Sequence, residues 1–147
     1  MHTCEKLAHI ILHCLEELNM IVKNIFEELS KVETDNKTGI KITYITGDSH
    51  ISVFAAEIAP KTELNPHYHK IGIETYQVLE GYGTMKVGDY INDSVHWIET
   101  FEVKQGDCFS ISSPKVHQII NKSDQILRTV FTCPSDHLGQ DRFFCKV

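Results

Sequence analysis

After Gly39 the apolar period of this chain changes to two, in short runs separated by polar turns. Side chains two apart on a β-strand face the same way, so runs of this kind are strands that turn one face to a core. The runs 40–45 and 51–58 flank a Gly47-Asp48-Ser49 turn, and 75–79 and 83–91 flank Glu80-Gly81-Tyr82. Asn92-Asp93-Ser94 turns the chain into 95–103, and 108–111, 116–120 and 126–133 supply the remaining strands. About nine short strands joined by polar turns predict a mainly β fold, a barrel or jelly roll.

Before Glu33 the period is different. Leu7, Ile11, Leu15, Leu18, Val22, Ile25 and Leu29 recur at three- and four-residue steps, with no Gly or Pro among them. That spacing predicts a helical extension over 1–33, as one long helix or two short ones, ahead of a β domain over 40–147. The apolar stripe packs on the protein's own strands or forms the seam of a homodimer.

The 147 residues suit one domain, and their net charge of −6 with a pI near 5.8 argues against nucleic acid or an anionic membrane as the main partner. Five scattered cysteines, Cys4, Cys14, Cys108, Cys133 and Cys145, contain no C-x-x-C pair. With Glu5, Glu16 and Glu17 interrupting any secretion-type apolar block, the chain reads as cytoplasmic. No stretch approaches a membrane span.

The chemistry concentrates in His67, His69, Glu74 and His117. His-x-His on a strand aims two imidazoles at one point, and Glu74, after a short loop containing Gly72, can return on a neighbouring antiparallel strand. His117, at the start of a later strand, is the candidate fourth donor. Imidazole and carboxylate suit one divalent transition metal per chain: iron, manganese, nickel or zinc.

These residues resemble the two motifs of the cupin superfamily, metal-binding β-barrels of the double-stranded β-helix type. In the first motif, G-x5-H-x-H-x3–4-E-x6-G, the positions of His67, His69, Glu74 and Gly81 match, and Lys61 replaces the leading glycine. In the second, G-x5-P-x-G-x2-H-x3-N, Gly106, His117 and Asn121 match, while Ser112 and Pro114 replace the proline and the second glycine. The resemblance covers roughly 40–133 and implies a cupin jelly-roll barrel with His67, His69, Glu74 and His117 as metal ligands. It leaves the helical extension unaccounted for.

Alternation then nominates further residues. Tyr76 shares the face of Glu74 and is a candidate catalytic acid or hydrogen-bond donor, or else a core aromatic. Asn121 orients substrate or closes a turn; Phe109, with Ile111, lines the barrel floor. Arg128 meets a substrate carboxylate or phosphate if it faces inward and forms a surface ion pair if it does not. His50, His96 and His137 fit no ligand spacing and read as surface residues, and Cys108 reads as a small buried residue. The functional expectation is a metal-binding cupin acting on a small polar molecule, by isomerase or epimerase chemistry on a sugar or hydroxy-carbonyl compound. Iron-dependent dioxygenation and non-catalytic binding or sensing of a small ligand are the alternatives.

Overall fold

The computed structural model describes residues 21–36 and 38–146. Most of the expected helical extension, 1–20, lies outside them. What is described of it is one short helix, α1 (Ile25–Ser30), capped by Asn24, whose side-chain oxygen accepts from the backbone N–H groups of Phe26 at 3.0 Å and Glu27 at 3.2 Å. No helix among the described residues is long and apolar enough to cross a membrane.

Eleven strands follow: β1 (Ile40–Gly47), β2 (Ser52–Ile58), β3 (Thr62–Glu63), β4 (His67–Tyr68), β5 (Ile73–Glu80), β6 (Tyr82–Ile91), β7 (Ser94–Lys104), β8 (Cys108–Ser112), β9 (Val116–Asn121), β10 (Leu127–Cys133) and β11 (Phe143–Phe144). They form two antiparallel sheets, ordered β1-β2-β10-β5-β8 and β11-β4-β9-β6-β7, with β3 on the edge of β9. This is the mainly β, double-stranded β-helix arrangement that the period of two and the motif resemblance predict. The β6–β7 hairpin turns at Asn92 and Asp93, both with positive φ, as a right-twisting two-residue turn requires.

Between the sheets lies an apolar core to which both contribute, including Phe54, Ile58, Tyr76, Val78 and Phe131 from one and Met85, Val103 and Ile119 from the other. Across four neighbouring strands Phe54, Phe131, Tyr76 and Phe109 stand in direct register. Their rings stack with centroids 5.4, 5.8 and 5.2 Å apart along the row. The run Val53-Phe54-Ala55-Ala56 breaks strict alternation because the outer face of β2 is covered as well. There Leu29 of α1 packs over Ile45, Ala55 and Val130 in a second cluster.

Two departures from the motifs acquire physical reasons. Lys61 adopts φ 56°, the left-handed conformation a glycine takes without penalty. Its ammonium donates to the Lys122 carbonyl at 2.7 Å and pairs with Asp124 at 3.0 Å, which helps hold the turn. The turn before His117 contains a cis Ser113–Pro114 peptide in place of the motif glycine. Cys108 is exposed, not buried as its strand position suggested. Alternation along β8 turns Phe109 and Ile111 inward, so Cys108 and Ser110 must point out.

Candidate metal centre

His67 and His117 face each other across the β4–β9 pair, and His69 follows directly on β4. Glu74 arrives differently from the sequence expectation. It lies on β5, which pairs with β8 and β10 in the other sheet, so the loop 70–72 carries the chain across the barrel and not into an adjacent strand. Gly72 makes that crossing with φ +81°, and a Cβ there would stand 2.9 Å from the Pro134 ring. Three imidazoles from one sheet thus meet a carboxylate from the other.

All four residues are buried, with exposures of 5, 4, 3 and 1 % for His67, His69, Glu74 and His117, and their donor atoms lie within 4.8 Å of one another. One Glu74 oxygen stands 3.0 Å from His117 Nε2 and 3.2 Å from His69 Nε2. Each ring is oriented from behind by a backbone carbonyl: Asn65 for His67 at 3.1 Å, Lys115 for His117 at 3.3 Å, and Asp141 for His69. A carbonyl only accepts, so Nδ1 of each ring carries the proton, and in the neutral imidazole Nε2 presents a lone pair inward.

The donor set fits a divalent transition metal on this ground. Lone pairs crowded against a carboxylate oxygen repel one another unless a cation sits among them, and His69 Nε2 is buried without a hydrogen bond. Backbone anchors on the far ring nitrogen are the arrangement that fixes histidine ligands elsewhere. Electrostatics agree. Burial pushes the Glu74 carboxyl up, but the neighbouring His117 and His69 outweigh burial and hold it well below the usual carboxylate range. Burial, then the neighbouring His117, holds His67 well below the ordinary histidine value, so it stays neutral and able to ligate.

The donors open on a cavity of about 30 Å³ with a largely apolar lining that includes Ile42, Ala56, Ile58, Leu64, Ile119 and Phe131. Tyr76 also lines it, its ring edge-on to His117 at 6.3 Å. Burial first, and the Glu74 charge second, raise the Tyr76 phenol well above its ordinary value, so it keeps its proton at neutral pH. Phe109, expected on the barrel floor, stacks on Tyr76 and does not itself line the cavity.

Two nominated residues are placed elsewhere. Asn121 is completely buried, and its amide donates to the carbonyls of Ile58, Ala59 and Gln125 at 3.0, 3.1 and 2.7 Å. Its oxygen accepts from Ser123 N–H at 3.1 Å and Ser123 hydroxyl at 2.7 Å, which uses the side chain fully in closing a turn. Arg128 is held between Glu57, at 2.9 Å, and Glu80, away from the cavity.

The chain segment after β10 brings further side chains to the donors. His137, expected on the surface, is 1 % exposed and stacks on His69. Its Nε2–H donates to the Ile71 carbonyl at 2.6 Å, leaving a buried Nδ1 with no partner. Burial lowers its pKa. The Asp141 carboxylate accepts from the N–H groups of Lys70 at 2.9 Å and Ile71 at 3.0 Å, and β11 pairs with β4. Arg142 reaches back to the cavity wall. His50 and His96 are exposed, as expected. Cys133 lies near Glu74, but burial, then that carboxylate, push its thiol up to about 12, which removes it as a thiolate ligand at neutral pH.

Known proteins share this architecture. A structure from Klebsiella pneumoniae described as an uncharacterized conserved protein with a double-stranded β-helix domain superposes with a TM-score of 0.65 at 17 % identity, covering 86 % of this chain and 97 % of that one. A recombinant oxalate oxidase in complex with glycolate gives 0.64 at 18 %, covering 86 % and 67 %. CapF with the inhibitor 3-isopropenyl-tropolone gives 0.64 at 20 %, covering 79 % of this chain and 34 % of that one. At such identities the likeness is one of fold. Comparison with curated protein sequences gives no match. The family model described as the cupin domain matches residues 54–133, more than half the chain, from the strand of Phe54 through both ligand-bearing stretches to Cys133. The chain belongs to the cupin family.

Proposed function

We propose that this cupin is an enzyme that uses one divalent first-row metal, held by His67, His69, Glu74 and His117, to isomerise or epimerise a small hydroxy-carbonyl compound. The observation that carries the reading is the set of backbone-anchored imidazoles whose inward lone pairs crowd the Glu74 oxygen. When bound, the ion supplies Lewis acidity that polarises a carbonyl oxygen. Tyr76, protonated at neutral pH, donates a hydrogen bond or a proton to a substrate oxygen, and the unpartnered Nδ1 of His137 offers an acceptor on the C-terminal side of the cavity. The apolar walls exclude bulk water from both.

Iron-dependent dioxygenation is the second reading, favoured by the same walls, since Ile42, Ala56, Ile58, Leu64 and Phe131 suit a small apolar co-substrate. That oxalate oxidase shares the fold is compatible with it. Elemental analysis of protein purified without added metal comes first. Metal-loaded protein is then incubated in deuterium oxide with a panel of small hydroxy-carbonyl compounds, and exchange at the carbon next to the carbonyl is followed by NMR. Enzyme-dependent exchange without oxygen uptake supports isomerisation. Oxygen uptake by anaerobically iron-loaded protein, with no exchange, supports dioxygenation instead. Binding of a compound with no chemical change in either assay assigns a sensing or carrier role.

A further inference from the structure

Arg142 poses a problem that the metal donors alone do not answer. Its side chain lines both the cavity of the His67, His69, Glu74 and His117 donors and the adjoining groove of about 430 Å³. Among the described residues no carboxylate lies within ion-pair distance of its guanidinium, and its Nε is buried without a hydrogen-bond partner. The guanidinium rests over the Phe144 ring, 5.0 Å from the centroid. The other arginine, Arg128, also lies over a phenylalanine ring, that of Phe26, but it is held by two carboxylates. Arg142 is half-buried, and a cationic group with a buried donor left open is costly unless something completes it.

Charge points the same way. A divalent ion with one carboxylate and three neutral imidazoles keeps a net positive charge, and Arg142 adds to it inside an apolar wall. An anion offsets both. The planar fork of a guanidinium matches a carboxylate, which can turn one oxygen to the donors and one to the arginine. We infer that the substrate is a small carboxylate, held at one end by the metal donors and at the other by the guanidinium of Arg142. This rests on the metal reading proposed above and adds the chemical class of its substrate. Glu33 and Glu63 on the outer groove disfavour a polyanion, which leaves a single acid group as the part that enters.

Cobalt(II)-loaded protein provides the test, through its visible ligand-field bands. Acetate is titrated against acetamide, its neutral counterpart of the same shape, and against inorganic phosphate. Acetate is expected to shift the bands saturably and acetamide is not. Arg142→Gln weakens acetate binding by roughly tenfold or more, with cobalt stoichiometry and far-ultraviolet circular dichroism unchanged, and Arg142→Lys recovers part of the loss. Equal acetate affinity in wild type and Arg142→Gln overturns the inference, as does acetamide or phosphate binding that matches or exceeds acetate. Should Arg142→Gln misfold, Arg142→Lys carries the comparison, and affinity undiminished in it overturns the inference. Wild-type protein that takes up no cobalt overturns the metal reading itself, a result distinct from a loaded protein indifferent to acetate.

Discussion

The imidazole of His137 lies flat on that of His69, ring centroids 3.8 Å apart and planes 3° from parallel. The contact joins a ligand candidate just past one short strand to a segment more than sixty residues later. Asp141, four residues beyond His137, accepts from His69 Nδ1 with its carbonyl and ties down the 70–72 loop with its carboxylate. The orientation of His69 is therefore set by the C-terminal segment as much as by its own strand.

Asp141→Ala removes the two loop hydrogen bonds and leaves the backbone carbonyl free to drift from His69. Metal affinity is expected to fall about 10-fold or more, the range found for groups that orient ligands. Competition with a fluorescent chelator measures it, and unchanged affinity would show that the segment does not position His69.

His69→Ala and His117→Ala each remove a donor from the centre of the cluster while leaving the strands in place. Metal content should drop from near one per chain to near zero, with the β-type circular dichroism retained. Chelation of the native protein should lower its melting temperature by linkage, and a melting temperature unmoved after verified metal removal would contradict coupling of ion and fold.

The metal-free protein should lose stability as pH falls, and the direction follows from the two shifted groups. The folded-state pKa of His67 lies below the ordinary 6.5, so below that pH the unfolded chain takes a proton that the folded protein refuses. Glu74 is likewise depressed from 4.5, and its contribution is present above that value and lost as pH falls through the folded pKa. A melting temperature that declines from neutrality through pH 6.5 and again below 4.5 is expected. A rise over that interval would contradict the electrostatic account.

Asn121→Ala strips partners from three carbonyls and from Ser123. A loss of about 3 kcal/mol in chemical denaturation is expected, with metal stoichiometry unaltered. Arg128→Gln, which breaks partly exposed pairs with Glu57 and Glu80, should cost no more than about 1 kcal/mol and leave metal binding untouched. A marked change in ligand binding for Arg128→Gln would return that residue to the site.

The sequence made the strands and the four donors legible because both depend on local period. Alternation put His67 and His69 on a common point and turned Tyr76 inward, and the resemblance to the second cupin motif linked His117 to them. Period says nothing about which strand becomes the neighbour of which, so Glu74 was expected beside β4 and is found in the opposite sheet. Asn121 was ambiguous for a related reason: its face was readable, but its five hydrogen bonds reach two separate stretches of chain, 58–59 and 123–125. His137 and Arg142 were hidden altogether. They follow the last long strand, where no repeating pattern reports burial, and only the tertiary return of the segment over the β4 edge brings them to the cavity. The adjacent acid and base in Asp141-Arg142, beside two phenylalanines, were the signal available there.

Because the imidazoles hang from one sheet and the carboxylate from the other, the gap the donors span is governed by how the sheets are spaced. That spacing is set by Phe54, Tyr76, Met85 and Phe131, packed between them. On the metal reading proposed above, preference among ions of different radius is a property of the hydrophobic filling, and trimming Met85 or Phe131 is expected to retune it without altering a single donor atom.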